Sequence, residues 1–247
     1  MVDIILGMGE VGQTIFELLV QRNFKCIGVD IDSLKCRNYD KDEKIEHPEY
    51  LRVCLPGTLV DFDKIISKWI NNMEKLNAVI IHSTVKPRTT EIIQKQFDIP
   101  VLFSPVRGVH VRFLEDVKRY TKFIAKDREI SSKIVLDFED RFQKVKWMST
   151  TRTAEFAKIL VDTTYYGWLI NYAQITKMIC EKEGIDFEEM WSFADEIHEN
   201  LGNRPKMYPG VIGGHCVIPN LELIENEKIN IIREINEKFE KFQAQNF

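Results

Sequence analysis

The chain opens with a short apolar run that leads directly into three closely spaced glycines. Val2–Leu6 predicts a β-strand, and Gly7, Gly9 and Gly12 follow it at the spacing of a dinucleotide-binding turn. In such a turn the first glycine permits the bend, the second lets backbone N–H groups approach a pyrophosphate, and the third lets the helix pack close to the strand. The phosphates would lie at the positive end of the helix dipole. The start of the chain therefore predicts a strand, a phosphate-binding turn and a helix.

A second predicted strand, residues 24–30, ends in an acid. Asp30 lies at about the distance expected for the residue that binds the ribose hydroxyls, and its charge would repel a 2′-phosphate. The pattern thus favours NAD over NADP, and the alternative is a flavodoxin-like turn that binds no nucleotide. The predicted cofactor contacts along the loop and at the end of the third strand are Gly7, Met8, Gly9, Glu10, Val11, Gly12, Asp30, Leu55 and Pro56.

The rest of the first 150 residues alternates between apolar runs and amphipathic segments. Strands are predicted at 51–56, 78–81, 101–103, 122–125 and 145–148, with helices at 61–75, 89–97 and 130–142. Residues 32–50 are expected to form a helix and an exposed loop. This alternation predicts a mostly parallel, doubly wound sheet, in which ligands collect at the carboxyl ends of the strands. His82, Ser83 and Thr84 follow the fourth strand at that edge; His82 is expected to be a hydrogen-bonded structural group.

The pattern changes at about residue 150. Residues 154–182 contain no proline and predict one helix of about 45 Å. It is apolar on more than one face, which suits burial against a second subunit and predicts a homodimer. A helix at 187–200, a Gly- and Pro-rich loop at 202–220 and an amphipathic helix at 221–247 complete the prediction. The expected fold is α/β: a Rossmann-like NAD-binding domain (1–150), then a smaller all-helical domain with a long central helix (151–247).

Composition excludes several classes of protein. The formal net charge of −4 leaves no basic footprint for nucleic acid, and no stretch has the length of a membrane span. The five cysteines show no spacing typical of zinc or redox sites, and no metal site is predicted. Their odd count and the lack of an apolar signal segment favour a reducing cytoplasm.

Several ordered motifs resemble the UDP-glucose/GDP-mannose dehydrogenase family, especially its members that act on UDP-N-acetylhexosamines. They are the glycine loop with Asp30 and Lys35, the segment Ser83-Thr84-Val85 continued by Thr89-Thr90, residues 154–158, residues 209–216 and residues 233–236. The resemblance implies that Lys35, Ser83 and Thr84 join the cofactor contacts. It also implies two successive hydride transfers from a sugar C6 alcohol to NAD.

The resemblance further implies roles for individual residues. Cys216 would capture the aldehyde as a thiohemiacetal, and Gly213, Gly214 and His215 would lie beside the substrate. Lys158 would stabilise the developing oxyanion, with Asp162 and Thr84 as further catalytic residues. Arg107 and His110 could form an anion-binding loop, a secondary substrate site.

The chain also departs from the family pattern. Val106 follows Ser104-Pro105 where the family has Glu, Asp162 stands in place of Asn, and Asn220 stands in place of Asp. The chain ends about where the family's carboxyl-terminal nucleotide-sugar domain begins. Two alternatives therefore stay open: a two-electron dehydrogenase of the beta-hydroxyacid type, and a non-catalytic NAD-binding regulatory module.

Overall fold

The computed structural model describes residues 2–41, 45–73, 75–108, 110–202, 207–214, 216–224 and 226–246. The side chains of residues 110, 201, 228 and 246 lie outside this description. The chain divides into two compact units, Met1–Lys158 and Ile159–Phe247. No helix in the described ranges is long and apolar enough to cross a membrane.

In the described part of the first unit, seven strands form one sheet in the order β2-β1-β3-β4-β5-β6-β7. The strands are β1 (Val2–Leu6), β2 (Cys26–Val29), β3 (Pro48–Val53), β4 (Ala78–Ile81), β5 (Val101–Phe103), β6 (Lys122–Ala125) and β7 (Val145–Met148). Every neighbouring pair is parallel except β5 and β6, which meet antiparallel at Phe103 and Ala125. The predicted doubly wound, mostly parallel sheet is thus confirmed.

Both faces of the central strands are buried, which explains their continuous apolar sequences. Ile4, Ile5, Ile80 and Ile81 are fully buried, with alternate residues in the two core clusters. The helices of this unit are α1 (Glu10–Gln21), α2 (Phe62–Asn71), α3 (Thr89–Gln94), α4 (Phe113–Arg119), α5 (Ser132–Arg141) and α6 (Thr151–Ala157). Because β2 and β3 lie on opposite sides of β1, the strand order reverses beside β1, and such a switch point is where open α/β sheets bind ligands.

The prediction of a helix within residues 32–50 is wrong for the described part of that segment. Only a short 3-10 turn forms, Ser33–Lys35, and the Asp32 side chain caps it by accepting from Leu34 N at 3.1 Å. Asn38 and His47 have φ values of 52° and 50°, which interrupt a right-handed helix. β3 then begins at Pro48, earlier than predicted.

The helical run after residue 150 is continuous but not uniform. After α6, residues Lys158–Thr164 form a π-helix, and α7 (Tyr165–Glu183) follows and ends at Gly184, whose φ is 69°. The single regular helix predicted at 154–182 is therefore corrected to three segments. The domain boundary predicted at 150 falls between β7 and α6, whereas the division between the compact units follows Lys158 because α6 packs against the sheet.

The second unit contains α7, α8 (Phe187–Leu201), α9 (Val217–Ile224) and α10 (Glu227–Asn246). The predicted loop at 202–220 is too long, and the predicted tail helix at 221–247 is two helices. Pro219 suggested irregular structure, but it is the third residue of α9, in a first turn where a missing N–H removes no helical hydrogen bond. Ile212, Val217, Leu221 and Ile232 form the buried apolar cluster of this unit.

Candidate functional site

The three glycines of the first loop have three different surroundings. Gly7 has a φ of 93°, and a Cβ there would lie 3.0 Å from the backbone of Cys54 and Leu55. A Cβ on Gly12 would lie 1.8 Å from the Gly7 carbonyl oxygen, whereas a Cβ on Gly9 would have nothing within 4 Å. Gly9 is also the N-cap of α1, and no side chain caps that helix. The loop is therefore closed on its strand side and open where the N–H groups of α1 begin, which is the shape that a pyrophosphate requires.

Asp30 ties the end of β2 to this loop. Its Oδ2 accepts a hydrogen bond from Met8 N at 2.6 Å, and its Oδ1 accepts one from Asp32 N at 3.0 Å. Met8 itself is buried, and its sulfur would lie 2.6 Å from a Cβ on Gly28 of β2. Asp30 is half-buried, so part of its surface remains accessible.

The remaining predicted cofactor residues near the loop differ in exposure. Lys35 is exposed, and its Nζ lies 3.7 Å from Asp32 Oδ2. Glu10 is exposed in the first turn of α1, while Val11 packs against the core. The side chain of Lys35 thus pairs with Asp32, two residues beyond the predicted ribose-binding residue Asp30.

The ends of β3 and β4 meet at the same edge of the sheet. A Cβ on Gly57 would lie 1.9 Å from the Thr84 carbonyl oxygen, and Gly57 forms a parallel bridge with Val85. Ser83 is buried and its Oγ donates to Val53 O at 3.4 Å, while Thr84 is half-buried. Leu55 and Pro56 precede Gly57, and Leu55 N is one of the three backbone atoms that would lie 3.0 Å from a Cβ on Gly7. The structure therefore brings the glycine loop, residues 55–56 and residues 83–84 to one edge.

His82 is a buried structural group, as predicted. Its Nδ1 lies 2.7 Å from Ser104 O, and its Nε2 lies 3.4 Å from Nη1 of Arg52. Burial, with the nearby charges of Lys122 and Arg52, holds the pKa of His82 well below its usual value. The ring is therefore neutral, with Nδ1–H donating to Ser104 O and Nε2 accepting from Arg52.

Lys122 is a buried lysine at this edge that sequence reasoning missed. Its Nζ donates to the carbonyl oxygens of Ser104 at 2.7 Å and Pro105 at 3.0 Å. Burial lowers the pKa of Lys122 well below its usual value; among the charges around it, Lys158 and Arg107 lower it further. No local signal marks the residue, because a lysine at the start of a strand is ordinarily exposed.

The predicted anion-binding loop is only partly described. The Arg107 guanidinium stacks over the rings of Tyr120 and Phe123, at 5.3 and 4.8 Å, and donates to Thr121 O at 2.9 Å. Its half-buried side chain is thus engaged by the segment that leads into β6. His110 begins a 3-10 turn, His110–Arg112, but its side chain lies outside the described residues.

Glu155 is a second buried group to which the sequence assigned no role. It is fully buried on α6, where its carboxylate accepts from Arg88 N at 2.6 Å, Thr90 N at 2.9 Å and Thr90 Oγ1 at 2.7 Å. Burial raises the pKa of Glu155. These bonds hold the turn at Arg88, whose φ is 78°, against α6. Lys158 follows Glu155 by one helical turn and is half-buried. An acidic residue inside the motif of residues 154–158 was the available signal.

In the second unit, Asp162 lies on a packed helical segment and Cys216 directly precedes another. Asp162 is half-buried in the π-helix, and the adjacent Thr163 accepts from Asn220 Nδ2 through its hydroxyl at 3.3 Å. Asn220 belongs to α9, which directly follows the exposed Cys216. A Cβ on Gly167 of α7 would lie 2.8 Å from Val217, so these helices approach closely. The structure thus places the helix after Cys216 beside the segment that carries Asp162.

The loop before Cys216 is open. Gly213 and Gly214 are exposed, a Cβ on either would meet nothing within 4 Å, and Gly214 has a φ of 75°. His215 lies outside the described residues. Among the side chains that are described, no three His, Cys, Asp or Glu residues are grouped as a metal ion would require.

Comparisons with known proteins agree with this architecture. No family model matches the chain. A UDP-N-acetyl-D-mannosamine dehydrogenase of Methanocaldococcus jannaschii is 26% identical over 284 aligned positions, which cover 96% of this chain and 66% of that protein. The chain therefore spans just under two thirds of the length of this curated relative.

Two solved structures share the fold. A UDP-D-ManNAc dehydrogenase from Pyrococcus horikoshii superposes with a TM-score of 0.83 at 20% identity, covering 99% of this chain and 70% of that one. A 3-hydroxyisobutyrate dehydrogenase from Mycobacterium tuberculosis gives a TM-score of 0.66 at 14% identity, covering 98% and 94%. The resemblance to UDP-glucose/GDP-mannose dehydrogenases that the motifs predicted is confirmed, since a relative of this kind aligns with nearly the whole chain.

Proposed function

We propose that this protein is an NAD-dependent oxidoreductase that oxidises an alcohol, with the C6 hydroxyl of a nucleotide sugar as its substrate. The observation that carries the proposal is the glycine loop, which is open at Gly9 and adjoins the edge formed by residues 55–56 and 83–84. The similarity to a UDP-N-acetyl-D-mannosamine dehydrogenase over 96% of the chain supports this substrate class.

The residues of the loop suit a dinucleotide. The uncapped N–H groups at the start of α1 would bind the phosphates, and Asp30 would accept from the ribose hydroxyls through its accessible side. Its negative charge would repel a 2′-phosphate, which favours NAD. NAD, when bound, would supply the acceptor for the hydride that leaves the carbon being oxidised. Thr84 at the same edge would orient the reacting hydroxyl.

Three residues of this chain would perform the other steps. The Cys216 thiolate adds to the carbonyl carbon of the aldehyde, and the ammonium of Lys158 stabilises the resulting alkoxide. Transfer of a second hydride from the same carbon to a second NAD would convert this thiohemiacetal into a thioester. The Asp162 carboxylate takes a proton from water, whose oxygen attacks the thioester and releases the carboxylate product with the thiol.

A two-electron dehydrogenase is the second candidate. Val106 follows Ser104-Pro105 and is buried, so that no carboxylate stands at this position to handle water. A reaction that stops at the first oxidised product needs no hydrolytic water. The chain would then act on a hydroxy acid without using Cys216.

The deciding experiment counts NADH formed per substrate with UDP-N-acetylhexosamines and with 3-hydroxy acids. Two NADH per sugar support the cysteine pathway, one supports the two-electron reaction, and tight NAD binding without turnover supports a non-catalytic module.

We expect K158A to lower kcat at least about 100-fold and C216S to stop the reaction after one NADH. The matched control is K182A, an exposed lysine on α7, which should retain full activity. Two NADH per sugar from C216S would refute the cysteine role.

We also propose that the protein is a homodimer formed through its long helical run. Seven large apolar side chains along this run are 37–70% exposed within the single chain: Leu160, Val161, Tyr165, Tyr166, Trp168, Tyr172 and Ile179. Several large apolar side chains exposed along one helical run are typical of a protein–protein interface.

A further inference from the structure

Three buried amide side chains of the second unit form one hydrogen-bonded network beside the irregular segment that precedes Cys216. Asn171 and Gln174 lie one turn apart on α7, and Asn236 lies on α10. Asn171 and Gln174 are 0% exposed and Asn236 is 7% exposed. We call these three residues the amide clamp. Residues 207–214, which Gln174 and Asn236 contact, have no helix or strand of their own.

Asn236 satisfies both backbone groups of a single residue of this segment. Its Oδ1 accepts from Ile212 N at 2.7 Å, and its Nδ2 donates to Ile212 O at 3.3 Å. This pair imitates the two hydrogen bonds that a neighbouring strand would make in an antiparallel ladder. The amide of Asn236 therefore fixes both the position and the direction of the backbone at Ile212.

Gln174 holds the same segment two residues earlier. Its Nε2 donates to Gly210 O at 2.6 Å and to Asn236 Oδ1 at 3.1 Å. Its Oε1 accepts from Asn171 Nδ2 at 2.7 Å, and Asn171 Nδ2 also donates to Ile232 O of α10 at 3.3 Å. Each amide thus sets the orientation of the next, so none can flip without breaking a hydrogen bond.

Apolar packing alone does not explain the amide clamp. Asn171 Oδ1 is buried and has no hydrogen-bond partner among the described residues, which destabilises the folded state. Apolar side chains between α7 and α10 would avoid this penalty. The network is better explained by what it fixes, the backbone of the segment before Cys216.

The clamped segment leads directly to the exposed thiol. Ile212 is buried beside Val217, the first residue of α9, so anchored residues flank the stretch 213–216. Within that stretch Gly213, Gly214 and Cys216 are exposed. Cys216 therefore follows the clamped Ile212 by four residues and directly precedes Val217, and both of these neighbours are buried in the core of the second unit.

We propose that Gln174 and Asn236 are positioning residues for Cys216, because they fix the backbone from which the thiol approaches the carbonyl carbon. This inference rests on the proposed role of Cys216 as the nucleophile. Loss of the clamp then impairs the cysteine-dependent second oxidation more than the first. Aldehyde is released, and the NADH formed per sugar falls from two toward one, while the KM for NAD is unchanged.

The test compares N236A and N236D with Q245A, which removes an exposed amide near the end of α10. In N236A, we expect amide hydrogen exchange at Ile212 to become about tenfold faster, since a buried hydrogen bond is lost. N236D keeps the acceptor for Ile212 N and loses the donor to Ile212 O, so its Ile212 amide stays protected. If N236A fails to fold, Q174A and N236D carry the same comparison.

Two further measurements distinguish a failure of the clamp proposal from a failure of the proposed function. Released aldehyde is trapped with semicarbazide, and Cys216 alkylation by iodoacetamide is followed by mass spectrometry. In N236A the alkylation rate should move from its native value toward its value in urea-unfolded protein. Should the wild-type protein form no NADH, the proposed function fails, and the exchange and alkylation rates still decide the role of the clamp. Unchanged rates in N236A, or exchange that accelerates equally throughout α7 and α10, would overturn the inference.

Discussion

At the residue scale, added methyl groups at two of the loop glycines are predicted to have different effects. G12A places a Cβ 1.8 Å from the Gly7 carbonyl oxygen, so we expect a loss of about 1–3 kcal/mol in the free energy of unfolding. In G9A the Cβ enters open space, so stability should change by less than about 1 kcal/mol. The same methyl group would stand where the pyrophosphate is proposed to bind, and NAD affinity should fall at least about tenfold.

Thermal unfolding followed by circular dichroism and titration of NADH fluorescence measure the two effects separately. A G9A protein that binds NADH as tightly as the wild type would contradict the proposed position of the phosphates. A G12A protein of unchanged stability would contradict the close packing between α1 and its strand.

At the scale of elements, Glu155 joins α6 to the N-terminus of α3. E155A would leave Thr90 N and Thr90 Oγ1 buried without their acceptor and would remove the partner of Arg88 N, so we expect a loss of about 3 kcal/mol or more in the free energy of unfolding. E155Q retains one acceptor oxygen and should lose less. Urea unfolding read by hydrogen exchange of the β4 and α3 amides measures both variants. E139A is the control, since Glu139 is exposed on α5, and equal stability of E155A and E139A would refute the joining role.

Packing between elements also explains why the secondary structure predicted from the sequence was wrong in two places. Pro219 reads as a loop residue, yet it occupies the first turn of α9. Residues 158–164 have the composition of an α-helix, yet they form a π-helix at the residues proposed for catalysis. Helix ends and helix type depend on neighbouring elements as well as on propensity, and these are the points at which the element boundaries had to be corrected.

At the scale of the whole molecule, the exposed apolar stripe on α7 leads to a test of oligomeric state. Tyr165, Trp168, Tyr172 and Ile179 recur at helical spacing and are 40–63% exposed. We expect light scattering after size exclusion to give twice the mass of one chain for the wild type, and one chain mass for Y172E combined with I179E. L136E is the control, because Leu136 is 60% exposed on α5 of the first unit. A monomeric wild type would refute the dimer.

The sequence by itself determined the α/β fold, the limits of β1, β4, β5, β6 and β7, and the shape of the glycine loop. Each of these depends on local patterns: continuous apolar runs form buried strands, and glycines at fixed offsets permit one sharp turn. Only the tertiary structure decided which polar side chains are buried and which backbone or side-chain groups they bind. Glu155 meets Thr90 across 65 residues and Asn236 meets Ile212 across 24, and no local pattern specifies such pairings. Burial is a property of the packed chain, so the environments of Lys122, Glu155 and the amide clamp emerge only when the elements assemble.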